Sequence, residues 1–347
     1  MASLRHRAGV LLLDVPQMLR CLSRRGGWAM VRNRNDRLEP APGGQGVRLH
    51  DQWTSRLHAC DVYPLLGRAL MHAALKEWPI AMRDDLRIGN DTPEITVIIA
   101  FRGSERLPQL RTVLKSIAAS STVSTEVVLV EQGPRSVVGN LPPGVRHIHL
   151  AHPDDNVGWY KSWAYNVGAG AARGSILVFH DADICTPSGY LAEAARRLDD
   201  PTLQTLALQR FLFHLDEPAS ADFASCGQAA RSGRVEMVRQ NWKGGTIVIR
   251  RSAFESIGGF DEGFANWGGE DFEFFDRATS IPSVTYGYVP FVHLWHPPQA
   301  SRAAVLARPV ESEALTRRRR LPVDERIQEL ARRPWGQPSA PSVAAYA

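Results

Sequence analysis

Two aspartates one residue apart, Asp181 and Asp183, stand at the end of the apolar run Ile176-Leu177-Val178-Phe179, after His180. An apolar run without polar alternation suits a strand buried on both faces, as in a parallel sheet covered by helices. In such sheets ligands collect beyond the carboxyl ends of the strands, and side chains two residues apart point the same way. Two carboxylates so placed suit a hard divalent cation, magnesium or manganese, that also holds substrate phosphates. The plainer use of the pair is to cap the helix that starts near Ser188. A second carboxylate pair, Glu270-Asp271, follows Trp267-Gly268-Gly269 and opens a helical pattern. Acidic residues there complement the helix dipole, while the glycines permit close approach of a ligand. A third group, His293 and His296, follows the apolar run 284–292. Either can serve as a ligand, and their positions do not choose between them.

The elements that must position these residues can be read from hydrophobic period. Residues 95–101 are β-branched and apolar, a first central strand. Leu107, Leu110, Val113, Leu114 and Ile117 recur at helical spacing, and residues 126–130 form a second strand. So short a strand, helix, strand succession is a right-handed parallel crossover. A shorter strand is expected at 147–150, a helix from Asn156-Val157-Gly158 to Ala172, and the aspartate-bearing strand at once after Arg173-Gly174. Beyond it the pattern predicts a helix at 188–198, strands at 205–209 and 246–249, a helix at 252–257, a helix from 270 to about 278 and a last strand at 284–292.

The flanks differ. Residues 1–90 read as a partly helical extension, with a linker or exposed loop at 39–46 and one or two helices between Trp53 and Met82, where Leu57, Val62, Leu65, Leu66, Leu70, Ala73 and Ala74 keep helical spacing. Residues 301–347 are rich in arginine, alanine and proline and are expected to form a mobile tail. The core unit is thus 91–300.

Composition narrows the class. Hydrophobic residues make up 44% and charged residues 22% of 347, ordinary values for a globular chain with a sizeable core. The net charge of +5 comes largely from arginines near the ends, and no basic stretch is interleaved with aromatics, so no nucleic acid is expected as partner. Cys21, Cys60, Cys185 and Cys226 are scattered without metal-binding or disulfide spacing, which fits a reducing compartment. Residues 10–13 are too short for a signal-peptide core and no run is long enough to span a bilayer, so a cytoplasmic protein is expected. Arg5, Arg7, Arg20, Arg24 and Arg25 leave peripheral membrane contact open.

Residues 95–183 resemble a nucleotide-sugar-dependent glycosyltransferase of family 2 type. The matching pieces are the Val97-Ile98-Ile99 strand, Leu129-Val130-Glu131, Asn156-x-Gly158 with Asn166-x-Gly168, and Asp181-Ala182-Asp183. Residues 242–276 are similar to the catalytic region of β-1,4-galactosyltransferases, through Gly258-Gly259-Phe260-Asp261-Glu262 and Trp267-Gly268-Gly269-Glu270-Asp271. The resemblance covers about three fifths of the chain. It implies a GT-A fold, an α/β domain with a mixed, mainly parallel sheet flanked by helices, and a manganese or magnesium cofactor. It further implies Asp183 as the direct metal ligand, Asp181 on ribose or metal, a histidine from His293 and His296 as third ligand, Asp271 as general base and Glu270 on sugar hydroxyls. Asn156 and Glu131 would face the nucleotide. The backbone at Gly244 and Gly245 would approach the donor, and Trp267 would either stack on a sugar or sit in the core. The chain departs from the family where Asp-Asp-Gly-Ser is usual and Glu131-Gln132-Gly133-Pro134 stands, and where Arg102 replaces an asparagine.

The reading is therefore a metal-dependent, inverting glycosyltransferase moving a sugar from a nucleotide-sugar, a UDP-sugar, to a glycan, lipid-linked or small-molecule acceptor. Its rivals are a nucleotidyltransferase, which has no need of the Trp-Gly-Gly-Glu-Asp element, and a catalytically silent scaffold that binds a partner transferase through residues 1–90.

Overall fold

The computed structural model describes residues 3–50, 54–86, 92–121, 123–151, 158–227, 233–266, 268–297 and 313–337. The chain opens with a helical run in which α1 (Leu4–Gly9) and α2 (Val15–Leu22) are joined by a π-helical turn, Val10–Asp14. A hairpin of β1 (Leu38–Pro40) and β2 (Val47–Leu49) encloses the expected loop. The short β3 (Ser55–Arg56) and the helices α3 (His58–Val62) and α4 (Pro64–Glu77) follow. The two helices lie where the apolar spacing predicts them. The three strands carry no such signal, being two or three residues long.

The central region alternates β4 (Ile95–Phe101), α5 (Leu107–Ser120), β5 (Thr125–Gly133), β6 (Val145–Ala151), α6 (Lys161–Ala171), β7 (Ile176–Asp181) and the two-residue β8 (Ile184–Cys185). Next come α7 (Tyr190–Leu198), β9 (Thr205–Leu206), β10 (Gln209–Leu215), α8 (Glu217–Cys226), β11 (Val235–Gln240), β12 (Thr246–Arg250) and α9 (Arg251–Ser256). α10 (Glu270–Ala278), β13 (Ser283–Val284) and β14 (Val289–His293) complete it. The main sheet has the order β13-β9-β12-β7-β4-β5-β6. β7, β4, β5 and β6 run parallel, and β12 is antiparallel to β7. This is the mixed, mainly parallel α/β sheet flanked by helices that the family resemblance implies. In β4, Ile95, Val97, Ile99 and Phe101 enter one core with α5, while Ile98 and Ala100 enter a second with α6 and the phenylalanines near α10. Both faces are covered, which is why the strand lacks polar alternation.

A second sheet, β3-β11-β10-β14-β8, is absent from the sequence reading. The stretch 205–209 divides into β9 in the main sheet and β10 in the second. The stretch 284–292 likewise divides into β13 and β14, so the chain changes sheets twice between apolar residues of similar character. Gly287 stands at the second crossing, where a Cβ would lie 2.4 Å from the Gln209 carbonyl oxygen. The buried Arg210 of β10 donates to the carbonyls of Ala29 (2.6 Å) and Val31 (2.7 Å), tying the N-terminal segment to this sheet. Burial pushes that guanidinium down to about 9.

The mobile tail expected over 301–347 needs correction for residues 313–337. They form α11 (Glu313–Arg318) and α12 (Val323–Ala331), which pack against α10 and α9. The arginines that read as solvated charge meet carboxylates: Arg318 with Asp261 (2.8 Å), Arg319 with Asp276 (2.8 Å), and Arg326 with Glu273 (3.1 Å). Leu330 is buried, and Trp335 meets Phe254 edge-on.

α10 carries the Glu270-Asp271 pair and is held from behind by Arg277. This fully buried guanidinium pairs with Glu273 (2.7 Å) and donates to the carbonyls of Ile257 (2.6 Å) and Gly259 (2.7 Å). Removing one partner of such a buried pair typically costs ~3–5 kcal/mol. Arg277→Ala is expected to lower unfolding free energy by an amount of that order in urea titration. A loss under about 1 kcal/mol would place Arg277 among ordinary surface pairs.

Candidate active site between the two sheets

β7 ends at Asp181, whose N–H donates to the Gly245 carbonyl (2.9 Å) beside β12. The chain then turns tightly into β8. The His180 ring, buried and held below the ordinary histidine range by that burial, bonds through Nε2 to the Ile184 carbonyl (2.7 Å) and closes the turn. β8 pairs with β14, His293 opposite Ile184, and the Leu294 N–H donates to the Asp183 carbonyl (2.8 Å). The turn is therefore hydrogen-bonded to both sheets, and β14 delivers its histidines to the Asp183 side chain.

Asp183 is buried. His293 Nε2 lies 3.7 Å from one carboxylate oxygen, His296 Nε2 lies 3.3 Å from the other, and Arg106 donates to the latter oxygen at 3.2 Å. Donor atoms of Asp183, His293 and His296 all lie within 4.8 Å of one another. Burial alone would raise the carboxyl, but the His293 imidazole, the His296 hydrogen bond and the Arg106 charge outweigh it and hold Asp183 far below the usual range. One oxygen and two imidazole donors fit manganese or another first-row transition ion better than magnesium, which favours oxygen. Both histidines join Asp183, so the choice between them does not arise. Asp181 is outside the trio: its Oδ1 accepts from Lys161 Nζ (2.8 Å) and the Tyr165 hydroxyl (2.9 Å). Asp181, expected on ribose or metal, is thus held by Lys161 and Tyr165 and lines the same cleft as the Asp183 group.

Lys161, in the first turn of α6, centres a second group. Besides Asp181 it reaches both Asp271 oxygens (3.0 and 3.1 Å) and Glu270 Oε1 (3.5 Å). Burial opposes its charge, but Asp181, Asp271 and Glu270 prevail and hold the ammonium well above the ordinary lysine range. Asp271 moves the other way. Burial, with the like charges of Glu270 and Asp181, outweighs Lys161 and pushes the carboxyl up to about 7. Gly269 precedes the pair at φ 101, a left-handed conformation that glycine adopts without strain.

The two groups line one cleft of about 550 Å³, together with Arg102, Arg106, Arg239, Trp159, Trp242 and Phe272. Trp242 meets Phe272 edge-on with ring centroids 5.5 Å apart, and the Arg239 guanidinium lies 4.1 Å over the Trp242 ring.

Other expected site residues lie differently. Glu131 is buried and engaged by the Ser136 hydroxyl (2.6 Å), the Val137 N–H (2.7 Å) and His147 Nε2 (2.9 Å), so it pins the loop after β5 and does not face the cleft. Gly244 makes room for Asp271, whose Oδ2 would lie 2.9 Å from a Cβ there, and Gly245 makes room for Ile184. Asn156 and Trp267 lie outside the described residues. Lys161, Tyr165, Arg106 and His180 escaped the sequence reading. Lys161 and Tyr165 share one face of α6 at i, i+4, a spacing that was visible, but nothing in it names their partners.

Residues 96–288 match the family model described as "Glycosyltransferase like family 2". The chain belongs to this family. It is similar to human (Homo sapiens) polypeptide N-acetylgalactosaminyltransferase 12, with 26% identity over 301 residues covering 78% of this chain and 51% of the relative. It is also similar to a probable N-acetylgalactosaminyltransferase 9 of Caenorhabditis elegans, with 25% identity over 313 residues covering 72% and 54%. The chain spans about half the length of the curated relatives it matches. Among solved structures it is similar to the mannosyltransferase PcManGT from Pyrobaculum calidifontis in complex with GDP-Man and Mn2+ (18% identity, 76% of this chain and 81% of that one, TM-score 0.39). The catalytic domain of Drosophila beta1,4galactosyltransferase 7 in complex with xylobiose is another (15% identity, 65% and 83%, TM-score 0.37).

In this family 2-like chain the raised Asp271 carboxyl links stability to pH. A carboxyl with its folded value above its unfolded value favours folding fully below about pH 4, and this contribution is lost as pH rises through about 7. Asp271→Asn removes it. The melting temperature of the variant, relative to the parent protein, is expected to rise between about pH 5 and about pH 8. A difference that is flat across that window would show that Asp271 titrates normally.

Proposed function

We propose that this protein transfers a sugar from a nucleotide-sugar donor, a UDP-sugar, to an acceptor hydroxyl with inversion at the anomeric carbon, using manganese held by Asp183, His293 and His296. The observation that carries the reading is one cleft with a clustered carboxylate and two imidazoles in one group and a carboxyl poised near neutrality in the other. Family membership supports sugar transfer as the chemistry. The curated relatives are named for N-acetylgalactosamine transfer, which puts that sugar first among donors to test. Uridine as the base rests on the resemblance alone, because the carboxylate expected to meet it, Glu131, is engaged by Ser136 and Val137.

Such a reaction needs a stabilised leaving diphosphate and removal of a proton from the acceptor. When bound, the cation supplies Lewis-acid stabilisation to the leaving group. Asp183 stays ionised through Arg106 and the histidines, so its charge is present for ligation at all working pH values. The guanidiniums of Arg102 and Arg106 line the same cleft and can meet phosphate oxygens with planar paired donors. Asp271 takes the acceptor proton. A base with an affinity near the working pH is close to the optimum for that role. Lys161 orients Asp271 and Glu270, leaving Glu270 to receive sugar hydroxyls, and Trp159, Trp242 and Phe272 give apolar faces on which a sugar ring can lie. No observation favours nucleotidyl transfer or a silent scaffold.

The test is release of UDP from a panel of UDP-sugars with manganese, and the anomeric configuration of the product by NMR. Asp183→Asn is expected to abolish turnover and to weaken manganese binding measured by calorimetry. Unchanged turnover would remove Asp183 from the site. Asp271→Asn is expected to keep donor and metal binding while turnover falls ~10²–10⁴-fold. Turnover within a few-fold of the parent would exclude Asp271 as base, and a product that retains configuration would overturn inversion.

A further inference from the structure

Of the eight large hydrophobic side chains that stand exposed among the described residues, six lie between residues 4 and 30. Scattered exposed leucines are ordinary on a protein surface, but a concentration in one element is not. Leu4, Leu11, Leu12, Leu13 and Leu19 all belong to the opening helical run and are between 51% (Leu11) and 89% (Leu4) exposed. The run is not loosely attached. Val10 and Met18 are in the core, Asp14 is buried and accepts from the Arg34 N–H at 2.8 Å, and the segment that follows is fastened to α4 by Gly26 N–H (2.7 Å) and Trp28 Nε1 (3.1 Å) on Glu77. The π-helical turn places both of its end residues, Val10 and Asp14, inward and leaves three consecutive leucines outward.

Charge complements this apolar face. Arg5, Arg7, Arg20, Arg24 and Arg25 are all exposed. Five arginines less one aspartate leave residues 1–30 with +4 of the chain's net +5, and the single aspartate is the buried Asp14. Exposed leucines among arginines, with no exposed acid in the first thirty residues, match the composition of helices that lie in the plane of an anionic bilayer surface.

We infer that the helical run of residues 4–22 docks the protein on an anionic membrane surface, with Leu11, Leu12, Leu13 and Leu19 entering the headgroup boundary and the arginines meeting acidic lipid headgroups. No described helix is long and apolar enough to cross a membrane, so the contact is one of lying on the surface. The helix is held rigidly by its buried side and loses little freedom on docking, and the two signals, apolar and electrostatic, are of the kind that together give stable peripheral binding.

The experiment is flotation of the whole chain with vesicles of phosphatidylcholine alone and with about one-third phosphatidylserine. Binding is expected on the anionic vesicles, weak on the neutral ones, and reduced at about 0.5 M NaCl, where charges are screened within a few ångströms. Leu12→Asn with Leu19→Asn is expected to weaken partitioning at least ~10-fold, because these residues lose their insertion energy. Arg24→Gln with Arg25→Gln is expected to weaken it as well and to flatten the salt dependence. Leu321→Asn, exposed elsewhere, should leave binding unchanged. All five positions are surface residues, and equal melting temperatures check that the variants fold. Failure of the parent chain to float with anionic vesicles overturns the inference, as does equal binding by parent and leucine variants. Light scattering that shows a dimer dissolved by Leu12→Asn with Leu19→Asn, without flotation, assigns the face to a second copy and overturns it too. None of these readouts depends on sugar transfer.

Discussion

Asp183 sits in a two-sided hydrogen-bonded turn, and the rest of the site follows from that placement. On one side the Asp181 N–H is fixed to the main sheet through Gly245. On the other, the Asp183 carbonyl receives the Leu294 N–H and β8 pairs with β14 in the second sheet. The turn joins the two sheets at this point, and the junction brings His293 and His296 to a carboxylate more than a hundred positions earlier in the chain. His180 contributes by its position inside the turn. A neutral ring that bonds to the Ile184 carbonyl satisfies a buried acceptor, and leaving that acceptor unpaired would cost about 1–3 kcal/mol. On its other side β14 is in parallel register with β10, His214 opposite His293.

The second constraint is electrostatic. Three carboxylates, Asp181, Glu270 and Asp271, crowd around a single ammonium, Lys161. One positive charge cannot satisfy three negative ones in a partly desolvated space, so one carboxyl is left with a strong preference for its proton. The preference falls on Asp271, where burial and the like charges of Glu270 and Asp181 together outweigh Lys161. Arg277 and Arg326 do the opposite on the buried face of α10, where the Glu273 carboxylate is matched by guanidinium donors. The helix thus has a neutralised, rigid back and an over-acidic front that faces the cleft.

Much of this was legible because the signals are local. β4 matches its apolar run to the residue, the α10 start follows from Gly268-Gly269 before two acids, and Phe260 of the Gly-Gly-Phe motif stacks on Phe274 with ring centroids 3.8 Å apart. The Asn166-x-Gly168 motif also has a structural reason. Asn166 is bonded to Phe260 and Glu262, and a Cβ at residue 168 would come within 2.4 Å of Ile98. Contacts set by tertiary geometry were not legible. Glu131 lies two residues before the end of β5, where a nucleotide contact is expected, yet a loop five residues on takes its carboxylate. Lys161 gives no sign in sequence of the three acids it meets. Nor do the arginines of residues 313–337 differ, by type or spacing, from those of a solvated tail; only the buried Asp261 and Glu273 and the half-buried Asp276 opposite them make the difference. The second sheet was missed because its strands continue, without a break in hydrophobic character, from strands of the first.

The two ends of the cleft hold carboxyl groups whose surroundings push them in opposite directions. Asp183 is surrounded by two imidazoles and a guanidinium and stays ionised; Asp271 is surrounded by two like charges and one lysine and is drawn toward neutral pH. A pair of acids separated in this manner divides the work between charge and proton. The group held permanently negative suits a cation, and the group that can gain and lose a proton near pH 7 suits a hydroxyl. Burial and the like charges of Glu270 and Asp181 set Asp271 apart, against the pull of Lys161, while His293, His296 and Arg106 hold Asp183 in its charged form. Were the lysine to neutralise Asp271 fully, the acid would fall back into the ordinary aspartate range and lose its affinity for a proton. Were it absent, the three acids would repel one another and open the cleft. One ammonium among three carboxylates is the intermediate number that keeps the front of α10 in place while leaving a single proton exchangeable, and the sequence distance from residue 161 to residue 271 is spanned by the same crossover sheet that carries Asp183.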